Sequence, residues 1–194
     1  MKRSLGPTTL VYPMPAFLGG TYDENGKPNI MAAAWGGICC SEPPLLAVSI
    51  RKQRHTYDAV LKRKAFTVSI PPSRLAAHVD FAGIAPGKST DKFAELSLTP
   101  IKGEFVDAPY VQECPVILEL SVHSSSDLGS HVQFIGEIKD VKVDTDCLDE
   151  AGKPVREKID PLGYDGGMRE YFQMGSSVCK AFSGGKIFGK KTGE

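Results

Sequence analysis

The sequence predicts a mainly β chain, a barrel with a few short helices added, and three features point there. Strand-length apolar runs such as 45–51 (LLAVSIR) and 65–70 (AFTVSI) recur, each closed by proline, glycine or a polar turn. Helical spacing is confined to brief stretches. Turn residues are abundant, with 20 Gly and 14 Pro among 194 residues, which suits many short strands better than long helices.

Taken in order, residues 8–22 are apolar and β-prone but carry Pro13 and Pro15, which confine such a segment to a sheet edge or a bend. Asp23, Glu24, Asn25 and Gly26 form a tight turn, and 29–38 return as the second arm of a hairpin. Pro43-Pro44 closes that arm ahead of the buried strand 45–51. Thr56 takes the N-cap position of a helix whose Tyr57, Val60 and Leu61 follow at helical spacing, with Lys62, Arg63 and Lys64 in its last turn. The strand 65–70 stops at Pro71-Pro72, and 73–81 reads as a second helix capped by Ser73. A helical turn at 91–96 precedes strands expected at 96–101, 116–123 and 132–143. Asp149, Gly152 and Lys153 belong to another turn, and the tail carries weak helical character over 171–182. No internal repeat or low-complexity linker divides the chain, so 1–194 is read as a single domain.

Bulk chemistry removes several classes of function. Lys+Arg and Asp+Glu are equal at 23 each, which leaves no overall basic field for nucleic acid. No apolar run reaches the ~18 residues of a membrane span. The first residues, MKRSLGPTTL, lack a signal core before Pro7, which points to the cytoplasm. Cys39, Cys40, Cys114, Cys147 and Cys179 are odd in number and form no Cys-x-x-Cys, so they read as reduced thiols. His55, His78, His123 and His131 fall in no metal-ligand spacing, and no metal is expected. Neither Gly-x-Gly-x-x-Gly nor Gly-x-Ser-x-Gly occurs.

What remains is concentrated between Asn29 and Tyr57. Ala32, Ala33, Ala34, Trp35, Gly36 and Gly37 are poor strand formers, so a strand built from them gains something else: close packing around a core tryptophan, or room for a flat ligand. Beyond the next strand, Arg51, Lys52, Arg54 and Thr56 gather at a helix start. That is either a solvated basic turn or an anion site, because free N–H groups, dipole and side-chain charge all favour a phosphate there. Lys88, Ser89 and Thr90 add donors in a second loop. A planar ring system with a phosphate tail fits both ends, and flavin mononucleotide (FMN) is such a ligand.

With these residues in view, the chain resembles the flavin reductase-like FMN-binding split-barrel family, and its flavoredoxin branch in particular. The likeness runs through YPMPAFLGGTYDENGKPNIMAAAWGGICCSEPP, VSIRKQRHTYDAVLKRKAFTVSIP, KSTDKF at 88–93, GSHVQFIGEI at 129–138 and GYDGGMREYFQMGSSVCKAFSGGK. It implies a split β-barrel with short flanking helices. The isoalloxazine would lie on Asn29 and residues 32–36, with Trp35 shaping the ring pocket. Arg51 and Thr56 would hold the phosphate, assisted by Lys52 and by Lys88 or Ser89, while Tyr164 and Tyr171 would cover the ring or the neighbouring subunit's ring. No side chain is expected to act as acid or base, and His131 would neighbour a nicotinamide. Where the family often has Gly-Asp-His, this chain has Gly129-Ser130-His131. The implied function is a redox flavoprotein of flavin or ferric reductase type, working as a homodimer with NAD(P)H or a reduced partner as donor. Two alternatives stay open: an FMN electron carrier without a nicotinamide site, and a ligand-sensing split barrel.

Overall fold

The computed structural model describes residues 1–188. Its strands are β1 (Met14–Pro15), β2 (Phe17–Tyr22), β3 (Pro28–Ala33), β4 (Gly36–Cys40), β5 (Leu45–Arg51) and β6 (Ala65–Ile70), with helix α1 (His55–Arg63) between the last two. Helices α2 (Ala76–Ile84) and α3 (Lys92–Glu95) follow, then β7 (Pro100–Lys102), β8 (Pro109–Val111), β9 (Val116–Asp127) and β10 (His131–Val143). Helix α4 (Arg156–Ile159), β11 (Leu162–Asp165) and β12 (Glu170–Gln173) complete the order.

Seven antiparallel strands make one sheet in the order β3-β2-β6-β9-β10-β5-β4. It curls until its two ends share one interior: Phe17 and Met31 from one end pack in the same core as Leu46, Val48 and Ile50 from the other. No ladder joins β3 to β5 or β4, so the barrel is split at this seam. Alternate residues of β2 and β3 point outward, and Leu18 and Ile30 join a second core beneath α2 and α3 with Val79, Ala82 and Phe93. Both faces of these strands are therefore buried, which explains apolar runs where a half-solvated sheet would alternate.

Turn chemistry accounts for both hairpin ends. Asp23 Oδ1 accepts from the backbone N–H groups of Asn25 at 2.8 Å and Lys27 at 2.9 Å, and Gly26 takes φ +78°. The turn at Asp149 repeats this, with Oδ1 accepting from Ala151 and Lys153.

Several expected elements differ. The arm expected over 29–38 is two strands, because the chain breaks at Ala34 and Trp35 and crosses from β3 at one end of the sheet to β4 at the other. Gly36 permits that crossing, since a Cβ there would sit 2.5 Å from the Ala47 carbonyl oxygen of β5. Arg54, not Thr56, is the N-cap of α1, which leaves the Thr56 side chain free for tertiary contact. Ser73 opens a 3₁₀ turn rather than capping α2, its hydroxyl being hydrogen-bonded to Asp160. The strand expected at 96–101 begins only at Pro100, and the tail expected to be helical around 171–182 contributes β12. Residues 189–194 of the expected single domain lie outside the described range.

Candidate functional site

Three adjoining hollows run along the open edge of β3. The first, of about 180 Å³, lies where β3, the start of α1 and the 84–88 loop converge. Asn29, Arg54, Thr56, Lys88 and Lys92 line it. The Asn29 side-chain amide donates to the Thr56 hydroxyl at 3.0 Å with both residues buried, so the hydroxyl proton is left to point elsewhere. Arg54, at the N-cap, donates to the Gly83 carbonyl at 2.8 Å and is thereby held over the hollow. At the other wall, a Cβ on Gly87 would come within 2.7 Å of Asn29 Oδ1, so only glycine lets the loop close this tightly.

Lys92 is the most informative residue here. It is 4% exposed, and its Nζ donates to the carbonyls of Ile30 at 2.9 Å and Ala82 at 2.7 Å. Two neutral acceptors do not neutralise a buried ammonium, whose third proton still lacks a partner in those bonds. Burial, with the Arg54 charge behind it, pulls its pKa down to about 8. A cation kept at that cost beside Arg54 and the free N–H groups of a nine-residue helix is suited to an anion.

The second hollow, about 290 Å³, shares Met31 and Arg54 with the first. Its floor is Ala32, Ala33 and Ala34, and its walls are Trp35, Ser49, Arg51, His131 and Tyr164. Trp35 and His131 stack with centroids 4.5 Å apart and planes at 28°. Ser130 Oγ lies 2.9 Å from His131 Nδ1, and burial with the Arg51 charge lowers the imidazole pKa. Ile30 turns its carbonyl outward to Lys92, so Ala32, two residues on, presents its N–H to the same unpaired edge. A flat ligand on the alanine floor meets an apolar surface, a backbone donor and aromatic walls together.

A third hollow of about 300 Å³ continues past residues 32–34 and Tyr164 to Asp80, Arg169 and Tyr171. Tyr164 and Tyr171 sit 5.4 Å apart at 50°. Burial and the Asp80 carboxylate push the Tyr171 phenol up to about 12.

Of the expected site residues, Asn29, Thr56 and Lys88 meet in the first hollow, and Ala32, Ala33, Ala34, Trp35, Arg51, His131 and Tyr164 in the second. Arg51 thus borders the second hollow rather than the first. Lys52 turns away to an ion pair with Asp127 at 2.6 Å. Ser89 lines a further cavity beside Lys88, Gly36 serves the β4–β5 approach, and Tyr171 belongs to the third hollow. Lys92 and the particular role of Arg54 escape sequence reasoning. A lysine on a four-residue helix has no periodicity to mark it as inward-facing. Among the described residues no group of three or more His, Cys, Asp or Glu is placed to hold a metal ion, and no helix is long and apolar enough to cross a membrane.

Comparison with known proteins bears on this geometry. The chain is 54% identical to the flavoredoxin of Desulfovibrio vulgaris (Miyazaki F), whose solved structure matches with a TM-score of 0.92 over 95% of this chain and 100% of that one. A flavoredoxin from Methanosarcina acetivorans matches with a TM-score of 0.91 at 29% identity, over 97% of this chain and 99% of that one. A ferric-chelate reductase (NAD(P)H) of Archaeoglobus fulgidus is 29% identical over 124 residues, which cover 63% of this chain and 72% of that protein. Residues 9–173, from the entry into β1 to the end of β12, match the flavin reductase like domain, and the chain belongs to that family.

Proposed function

We propose that this chain is an FMN-binding redox flavoprotein of the flavin reductase type, one domain over 1–194. It would pass electrons from NAD(P)H or a reduced partner to flavin, ferric iron or a protein acceptor. One observation carries the reading: an anion hollow holding buried Lys92 opens into a flat-floored hollow of alanines walled by Trp35, His131 and Tyr164. FMN, when bound, supplies the hydride and one-electron chemistry. Arg54, Thr56, Lys88 and Lys92 hold the phosphate, and Asn29 fixes the Thr56 hydroxyl that donates to it. Ala32 offers its N–H along the ring edge, and Trp35, Tyr164 and the alanine floor exclude water. Lys92 Nζ keeps its proton once a phosphate faces it.

Further support comes from the chain ends. Leu5, Val11, Val178 and Phe182 are exposed apolar residues on the two terminal segments, and a second copy of the chain would cover them, which favours a homodimer. The five thiols are free, in keeping with a reducing, cytoplasmic setting.

The second reading is an FMN electron carrier without a nicotinamide site. The engagement of His131 favours it, since the imidazole is stacked on Trp35 and bonded to Ser130, not turned to a vacant face. Anaerobic mixing of the FMN-loaded protein with NADH or NADPH separates the two. Rapid bleaching of the flavin supports the reductase, and a flavin that stays oxidised until a reduced partner protein is added supports the carrier.

A further inference from the structure

Residues 1–13 lie outside every strand and helix and are exposed throughout, yet the arm they form is anchored near its end. Tyr12 donates its hydroxyl to Asp165 Oδ1 at 2.7 Å. The same oxygen accepts from the backbone N–H groups of Gly167 at 2.8 Å and Met168 at 2.9 Å, so one carboxylate joins the arm to the turn between β11 and β12. Directly after the anchor, β1 pairs Met14 with Tyr164, a wall of the flat-floored hollow. Resting on the FMN reading above, we propose that the arm is a latch: Tyr12, acting through Asp165, is a positioning residue that holds the β11–β12 hairpin closed against the flavin ring.

The turn is shaped to receive the arm. A Cβ on Gly166 would stand 2.5 Å from Met14 Cε, and one on Gly167 would stand 2.6 Å from the Tyr12 hydroxyl and 3.0 Å from Leu10 Cδ1. Bare backbone at both positions lets the arm lie directly on the turn. Arg169 then takes φ +59°, a left-handed conformation that a side chain keeps only where its surroundings impose it. The hairpin needs such a hold, because its sheet, β1-β11-β12, shares no ladder with the seven-stranded one. Its base is fastened: Leu162 donates to the Pro71 carbonyl at 3.0 Å, and the Gln173 amide donates to the Ser73 hydroxyl at 2.9 Å and to Asp160 at 3.1 Å. At the far end, Asp165 carries every side-chain hydrogen bond described for residues 165–170. Between the two ends sit Tyr164 and Tyr171, a cross-strand pair that moves as one. Tyr164 walls the flat-floored hollow and the third, and Tyr171 and Arg169 wall the third. A tip that lifts carries these walls off the ring, whereas a latched tip keeps them in place.

The test is stopped-flow measurement of FMN and riboflavin release, with amide hydrogen exchange of the apoprotein, for wild type, Tyr12→Phe and Asp165→Asn. Tyr12→Phe removes one hydroxyl from an exposed ring and leaves the turn's own bonds intact. It should raise the release rate of both ligands about threefold or more, and by the same factor, because the hairpin meets the ring and not the phosphate. Exchange should quicken over residues 165–170 while α1 and the seven-stranded sheet exchange as in wild type, a pattern that a general loss of stability does not give. Asp165→Asn keeps an oxygen that accepts from Tyr12 and from the turn, so it should not show the rise. A smaller rise in Tyr12→Phe, an effect on FMN alone, exchange that quickens throughout the protein, or an equal rise in Asp165→Asn overturns the latch. Wild-type protein that binds neither ligand overturns the FMN reading itself, and the exchange measurement, made without flavin, still tests the hold of Tyr12 on the turn.

Discussion

Asn29 and Thr56 are joined by a buried hydrogen bond, 3.0 Å from the Asn29 amide nitrogen to the Thr56 hydroxyl oxygen. The first residue sits on the open edge strand of the sheet and the second in the first turn of α1, so this contact sets the spacing between the alanine floor and the start of α1. Thr56→Val removes the hydroxyl and leaves the amide unpaired. FMN binding should weaken by about 1–3 kcal/mol. Titration of the purified variant checks this, with circular dichroism to establish that the fold is kept.

Arg51 and Arg54 should separate by the part of the ligand they sense. Arg54 lines both hollows, whereas Arg51 lines the flat-floored one alone. Arg54→Ala should weaken FMN by ~1.5–3 kcal/mol and weaken riboflavin, which lacks the phosphate, by less. Arg51→Ala should weaken both ligands alike. Titrations of the two variants with both ligands make the comparison.

Lys92 imposes a pH dependence with a definite sign. Its folded pKa is about 8, below its ordinary value of 10.5, because burial and Arg54 disfavour the charged form. In the free protein the charged side chain opposes folding below about 8, and that penalty fades as pH rises toward the ordinary value. A phosphate reverses the preference and raises the pKa, so binding takes up a proton. FMN affinity should therefore fall as pH climbs above about 8. Lys92→Met should bind more weakly throughout and lose that slope.

Glu119 marks the other costly burial. Fully buried on β9, it accepts from the backbone N–H groups of Glu104, Phe105 and Val106 and pairs with Lys142 at 3.2 Å. Glu119→Ala strands those donors and the cation, and should destabilise the protein by about 3–5 kcal/mol. Denaturant unfolding measures the loss. Residues 103–107 line none of the three hollows, so the folded variant should retain wild-type FMN affinity.

Much of this architecture is legible in the sequence because its signals are local. The Asp23 and Asp149 turns follow from Asx chemistry, and strands such as 65–70 from dense apolar runs between prolines. The alanine run was open to two readings, and the structure divides it: Gly36 serves strand packing, while Ala32, Ala33 and Ala34 floor a cavity. Long-range pairing is what the sequence hides. Nothing near Lys52 announces Asp127 as its partner, so the basic cluster reads as one unit when it is split three ways. Lys92 is concealed for a similar reason, since its acceptors Ile30 and Ala82 come from two other elements. In the tail, aromatic spacing suggests a helix, but pairing with β11 draws 170–173 into a strand.

In the proposed function, the anion hollow and the alanine-floored hollow hold one flavin between them. Equilibrium titration of the apoprotein with FMN, with riboflavin and inorganic phosphate as separate competitors, tests it most directly. One FMN should bind per chain, displaced by riboflavin from one end and by phosphate from the other. A protein that leaves FMN free in solution, or whose FMN neither competitor displaces, would contradict it.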